Sequence, residues 1–247
     1  MPRAQLLWVT AILAIARPTA ATTVLAVRAS DRAVLSADSR VQVVRGRQRS
    51  LDTGCKVHQS GGIVWSHAGY YANPNTGFDV VALADRVLAG GGTFDARLQR
   101  LGNAVSEPLQ RALLALRKAD PDEYEQDIGS PLKIVAIGMD GGAPVLAALQ
   151  FERSPDGHLT DKLHRCPGDC TGGMEYVSAG SHREADRIVR EDPGYFEQRG
   201  WRNGLRGLLD AEAAPHPDQV SAPYTTVEIG TFGIRWLDRG LCEASRL

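Results

Sequence analysis

The chain has 247 residues, 43% of them hydrophobic, which is enough to bury a core, and its 28 basic and 29 acidic residues leave a formal net charge of -1. That balance offers no long-range attraction to nucleic acid or to an anionic membrane surface, so neither is expected as a partner. Residues 1–21 differ in kind from the rest. Arg3 precedes an apolar run from Leu6 to Ile15, and Pro18-Thr19-Ala20-Ala21 supplies the small residues that a signal peptidase accepts. The run is short for a span of about 20 residues. The expected organisation is an export signal over 1–21 and one domain over 22–247, placed in the periplasm or outside the cell. An uncleaved anchor is the alternative.

Residues 22–29 and 33–38 read as two strands joined at Ser30-Asp31-Arg32, a hairpin. Val41 to Leu51 reads as an exposed strand or extended loop. Lys56 to Gln59 and Gly62 to His67 are two more strands, the latter ended by Ala68-Gly69. The period then changes. Phe78 to Leu88 reads as a helix stopped by Gly90-Gly91-Gly92. That triplet lacks a following Lys-Ser/Thr and ends a helix, so it is no phosphate loop. Phe94, Leu98, Leu101, Val105, Leu109, Leu113 and Leu116 mark an amphipathic helix that Pro108 kinks or that restarts at Ser106. Asp120 to Gly129 is acidic and solvated. Lys133 to Met139 and Pro144 to Phe151 flank Asp140-Gly141-Gly142, a hairpin signal. A polar loop follows, then a short strand at Tyr176-Val177-Ser178, helices over 184–190 and 204–212, and a closing hairpin of 225–229 with 234–237. Strand groups alternating with helices imply an α+β fold, a four-layer αββα sandwich.

Four cysteines in an exported chain read as bridged. Cys166 and Cys170 enclose the turn-prone Pro167-Gly168-Asp169 and suit a small staple. Cys55 and Cys242 are left over, and the sequence does not decide whether they pair. His158 and His164 lie near the close pair, but their spacing matches no zinc pattern, so neither metal nor cofactor is expected.

The chemistry concentrates just after the signal. A threonine hydroxyl is almost wholly protonated at neutral pH and needs a base within hydrogen-bond reach. A cut after Ala21 would put a free α-amine, with a pKa of about 7.7–8.0 in model peptides, on the same residue as the Thr22 hydroxyl. Lys56 beside that amine would favour its neutral form by like-charge repulsion, and Asp38 would keep Lys56 charged and in place. The backbone N–H at Gly69 would stabilise an oxyanion. Taken singly, each residue has a plainer role: Thr22-Thr23 opens a strand, Asp38 ends one, Lys56 is a surface charge and Ser181 caps a helix. Only their conjunction carries the reading.

Thr22-Thr23-Val24-Leu25-Ala26-Val27-Arg28, with Ala33 to Asp38, resembles the mature start of proteasome β-type subunits and the bacterial HslV peptidase, N-terminal nucleophile hydrolases with an αββα sandwich. In that family an aspartate follows the nucleophilic threonine by sixteen residues, as Asp38 follows Thr22. The family lysine comes sixteen residues later still, whereas Lys56 comes eighteen after Asp38. Ala68-Gly69 is similar to the family's oxyanion-hole turn, and Gly180-Ser181 to the Gly-Ser that opens a helix near the threonine. Asp218 and Ser221 match Asp-x-x-Ser, although Ala222-Pro223 stands where a glycine pair is usual. Tyr70-Tyr71 is bulkier than the residues common there. The match is good over 22–70 and sparse over 177–235.

The resemblance implies a threonine-type hydrolase cleaving peptide bonds, with catalytic Thr22, Asp38, Lys56, Gly69, Ser181, Asp218 and Ser221, acting as a homo-oligomer on peptides. Export implies no ATP-driven unfoldase partner. An amidase or acylase acting on small amides, with Tyr70 and Tyr71 closing its pocket, is one alternative. The other is a non-catalytic assembly or binding subunit.

Overall fold

The computed structural model describes residues 22–45, 48–126, 129–166, 168–170 and 175–242, so the expected signal at 1–21 lies outside it. β1 (Thr23–Arg28) and β2 (Arg32–Ala37) form a hairpin, with Val24 opposite Ala37. β3 (Arg40–Arg45) and β4 (Gln48–Thr53) pair with each other, Arg40 opposite Thr53. The lone strand or loop expected there is therefore corrected to a two-stranded ribbon. β5 (His58–Ser60) and β6 (Ile63–Gly69) follow, and then β7 (Ala72–Asn73) pairs with β8 (Phe78–Asp79).

α1 (Val80–Leu88) begins two residues after the apolar pattern does, because the Asp79 carboxylate accepts the Val81 and Ala82 N–H groups as a cap. α2 (Phe94–Ala119) runs 26 residues through Pro108 without a break. Ser106, where a second helix was one of the two alternatives, lies inside this helix and donates its Oγ to the Gly102 carbonyl 2.8 Å away, one turn back. Proline forgoes one backbone bond, but the stripe Leu98, Leu101, Val105, Leu109, Leu113 is buried on both sides of it, and packing holds the helix.

α3 (Pro121–Gln126) occupies part of the stretch read as acidic and solvated. β9 (Gly129–Asp140) and β10 (Ala143–Arg153) pair with Asp140 opposite Ala143. β11 (Leu159–Cys166), unforeseen, pairs with β10 in turn; it is an outer strand whose Thr160-Asp161-Lys162 face solvent, and so it lacks a strand's apolar pattern. β12 (Tyr176–Gly180), α4 (Arg183–Glu191), α5 (Tyr195–Arg199), α6 (Trp201–Ala213), β13 (Thr225–Gly230) and β14 (Gly233–Asp238) complete the chain.

The expected four-layer αββα sandwich is corrected by the sheets themselves. Among the described residues there are four antiparallel sheets: β12-β1-β2-β13-β14, β11-β10-β9-β6-β5, and the two ribbons β3-β4 and β7-β8, which belong to neither of the larger sheets. Periodicity identifies strands, but it does not tell a ribbon from a member of a large sheet. Successive side chains of a strand point to opposite faces, and the central strands use this to feed different cores. Leu25 and Val27 of β1 pack with Leu205, Leu208 and Leu209 of α6. Val24 and Ala26 pack instead with Val135 and Ile137 of β9, Val64 of β6 and Leu146 of β10. On the far side, Ile134 and Ala136 of β9 meet Leu98, Leu101 and Val105 of α2. Such strands are covered on both faces and read as continuous apolar runs.

Candidate active site around Thr22

Thr22 stands immediately before β1, where that strand lies against β12. Its carbonyl accepts the Ser181 N–H at 2.8 Å, and the Thr23 hydroxyl donates to the Ser181 carbonyl at 2.6 Å. Thr23 is paired with Gly180. A Cβ on Gly180 would sit 1.8 Å from the Thr22 oxygen and 3.2 Å from Ala68 Cβ, and its φ of +79° is a glycine conformation. That one residue therefore lets the starts of β1 and α4 and the end of β6 converge.

Asp38 follows β2, and its N–H donates to the Thr23 carbonyl at 3.1 Å. Asp38 Oδ1 accepts the Thr23 N–H at 2.8 Å and Lys56 Nζ at 2.7 Å, while Oδ2 accepts the Arg40 N–H at 2.8 Å. Lys56 Nζ also donates to Thr22 Oγ1 at 3.1 Å. The ribbon explains how a lysine eighteen residues away arrives here. β3 leaves directly after Ser39, β4 returns beside it, and the Gly54 N–H closes on the Ser39 carbonyl at 2.9 Å.

Asp38 and Lys56 are both buried. Burial pushes the Lys56 ammonium below its ordinary pKa, against the pull of the Asp38 charge. Burial likewise pushes the Asp38 carboxyl up, opposed by Lys56 and the two backbone N–H donors. Such a pair holds only with its hydrogen bonds complete, and removing one member costs about 3–5 kcal/mol because the other charge is left unpaired.

Gly69 ends β6 with a φ of +103°, and a Cβ there would lie 2.2 Å from the Pro131 carbonyl oxygen. Ser181 is at the site, but its Oγ donates to Gln219 Oε1 at 2.8 Å and does not cap α4. That cap comes from buried Glu212 of α6, which accepts the Glu184 and Ala185 N–H groups at 2.9 and 3.3 Å. Asp218 is exposed on a turn, and its neighbour Gln219 is the residue that reaches Ser181. Ser221 meets the Asp38 segment through its carbonyl, which accepts both the N–H and the Oγ of Ser39 at 3.2 Å. Its own Oγ is buried without a hydrogen-bond partner among the described residues. Gln219 carries no spacing signature in a Pro-rich loop, and no sequence signal marks it.

Both cysteine pairs are bridged, Cys55 to Cys242 and Cys166 to Cys170. Tyr70 and Tyr71 pack against the α1–α2 core; Tyr70 stacks on Phe78 and its hydroxyl accepts Asn73 Nδ2 at 2.8 Å. A cavity of about 510 Å³ lies further along β12, lined by Lys133, Gln150, His164, Tyr176, Ser178 and Asp186 among others. Thr22, Asp38 and Lys56 do not line it. Its Lys133, lowered in pKa by burial, donates Nζ to the Ser178 carbonyl at 2.8 Å.

No family model matches the chain, and no curated protein matches it. Solved structures do. The chain is similar to Anbu in a helical assembly of the Anbu complex from Pseudomonas aeruginosa, at 14% identity and a TM-score of 0.60, over 90% of this chain and 88% of that one. It is similar to Anbu, an ancestral beta-subunit, from Yersinia bercovieri at 16% identity and a TM-score of 0.57, over 87% of each chain. It is similar to an Anbu Gly-1 mutant from Hyphomicrobium sp. strain MC1 at 17% identity and a TM-score of 0.54, over 90% and 88%. The resemblance to proteasome β-type subunits and HslV is corrected by these matches. They are all Anbu, and at such identities they carry no evidence of N-terminal nucleophile chemistry. What the chain shares with Anbu is its fold.

Proposed function

We propose that the chain is a proteasome-like subunit that works in an assembly of its own copies, and that Thr22 equips it to cleave amide bonds. The assembly part is supported by the fold, since one of the similar Anbu structures is a helical assembly. The chemical part is carried by one observation: Lys56 Nζ bridges Thr22 Oγ1 and Asp38 Oδ1, at 3.1 and 2.7 Å.

In this reading residues 1–21 are an export signal removed before Thr22. The freed α-amine accepts the Thr22 hydroxyl proton as Oγ1 attacks an amide carbonyl, while the buried cation beside it disfavours a second positive charge. The Gly69 N–H takes the role of oxyanion donor. Breakdown of the adduct passes the proton to the departing amine and leaves an ester on Thr22, which water hydrolyses to the free acid. The expected substrates are peptides or unfolded chains outside the cytoplasm. Tyr70 and Tyr71 pack against the helical core, and this contact gives the small-amide reading no support of its own.

The second reading is a binding or assembly subunit without chemistry, and the exposed Asp218 favours it, because one expected support of the amine is missing. Intact mass of the exported protein and a threonine-directed acylating probe separate the two. The expected result is a chain that starts at Thr22, labels at Thr22 and loses labelling in Thr22→Ala. A mature chain that keeps residues ahead of Thr22, or labelling unchanged by Thr22→Ala, rules out the chemical role.

A further inference from the structure

Lys56 does not sit on a regular element. Gly54 to Val57 is neither strand nor helix, and lies between the end of the ribbon and β5. Its side chain is buried, yet its backbone is carried by a connecting segment, and such segments are the first to open in a folded protein. The residue immediately before Lys56 is Cys55, bonded to Cys242 across 187 residues with a Cα–Cα distance of 4.7 Å. Cys242 is itself fixed in place. It is buried, its N–H donates to the Arg239 carbonyl at 2.7 Å, and its sulfur lies 3.4 Å from Thr225 Oγ1 on β13. The sulfurs of Cys55 and Cys242 lie 3.1 and 3.8 Å from the Val57 carbonyl oxygen, on the far side of Lys56. The lysine is thus flanked by contacts to one covalent link, and that link ties it to the sheet that also holds Thr22 and Asp38. Cys55 is exposed, so a small thiol can reach its sulfur.

We propose that the Cys55–Cys242 bridge positions Lys56, and that its reduction turns the Thr22 site down. The proposal rests on the chemical role given to Thr22. The reaction is a two-electron exchange with a small dithiol. Its thiolate attacks Cys55 Sγ, the S–S bond breaks, and Cys242 leaves as a thiolate that takes a proton. The second thiol of the reductant then resolves the mixed disulfide, giving two cysteine thiols and a cyclic oxidised dithiol. Once freed, the 54–57 segment no longer holds Nζ in reach of both Asp38 and Thr22. A displacement of this kind, about 1 Å, is enough to cost on the order of 100-fold in rate.

The test compares the full-length mature protein oxidised, reduced with dithiothreitol, and as Cys55→Ser/Cys242→Ser, with Cys166→Ala/Cys170→Ala as the control. Two quantities are read: the rate and half-saturation of Thr22 labelling by the acylating probe, and backbone amide exchange along the chain. With the bridge open, the limiting labelling rate falls at least ~10-fold with half-saturation unchanged. Amide exchange rises at 55–57 while that of Val135 and Ile137 in β9 does not, reoxidation restores both readings, and the control matches the oxidised wild type. Equal labelling with the bridge open overturns the proposal whatever exchange shows. If Thr22 does not label even when oxidised, the chemical reading of Thr22 has failed. Exchange at 55–57 then decides the positioning role alone, and unchanged exchange overturns it.

Discussion

His67 is the residue at which burial and titration are most at odds. It lies on β6, 8% exposed, with Nδ1 unpartnered among the described residues and its ring between those of His58, Trp65 and Tyr71. Burial above all, with the neighbouring His58 and Lys56 as lesser contributions, lowers its pKa to about 3. Between that value and the unfolded value of about 6.5 the unfolded chain binds the extra proton, so stability falls as pH falls through this window. The loss from this one group is at most about 5 kcal/mol, since each pH unit across the window is worth about 1.36 kcal/mol. His67→Phe keeps a ring in the stack and removes the proton. Its urea-unfolding free energy should therefore fall less between pH 6.5 and pH 3.5 than that of the wild type, and equal slopes would show that His67 is not the cause. At this scale part of the site was legible beforehand. Thr22, Asp38 and Lys56 were singled out because the proposed chemistry needs those residue types, and the structure brings the three together. Ser181 was legible as a residue near Thr22 but not in its role, because its partner Gln219 comes from a loop without periodicity.

Among elements, α4 shows what pattern alone leaves out. Its polar, strongly one-sided sequence suggests a self-sufficient surface helix, yet its first N–H groups are satisfied by a carboxylate from another helix, the buried Glu212 of α6. Glu212→Ala leaves two helix-start donors unpaired and should cost about 1–3 kcal/mol. The measurement is the shift in denaturant midpoint together with amide exchange at Glu184 and Ala185, and Glu212→Gln should recover part of the loss. Unchanged exchange at those two residues would mean that the cap is dispensable. The strand hairpins were legible because apolar runs flank short turn segments such as Asp140-Gly141-Gly142, and α2 because its apolar residues recur at three and four. β11 was not, because an outer strand facing water carries no alternation. The ribbon was read as one exposed strand or extended loop, because its Arg- and Val-rich sequence alternates only in part.

For the whole molecule, the stacking of elements followed from packing that no local pattern records. Strands such as β1 and β9 divide their side chains between two cores, and only the three-dimensional arrangement shows which residue goes to which. The proposed assembly is tested at this scale. Sedimentation of the mature protein at tens of micromolar should show species well above the 26.6 kDa of a single full-length chain. A lone monomer there would remove the assembly reading without touching the Thr22 chemistry. Near-zero net charge is compatible with close contact between copies, since like chains barely repel.

The ribbon has a consequence for how sites of this kind are to be found. Asp38 stands next to one foot of β3–β4 and Lys56 just past the other, and the cross-strand pairing of Arg40 with Thr53 keeps the feet together whatever the length of the arms. Adding one residue to each arm preserves every pairing below the tip. Two extra residues between the acid and the lysine are therefore geometrically silent, and a search template for this pair is better anchored at the hairpin's base than at a fixed interval along the chain.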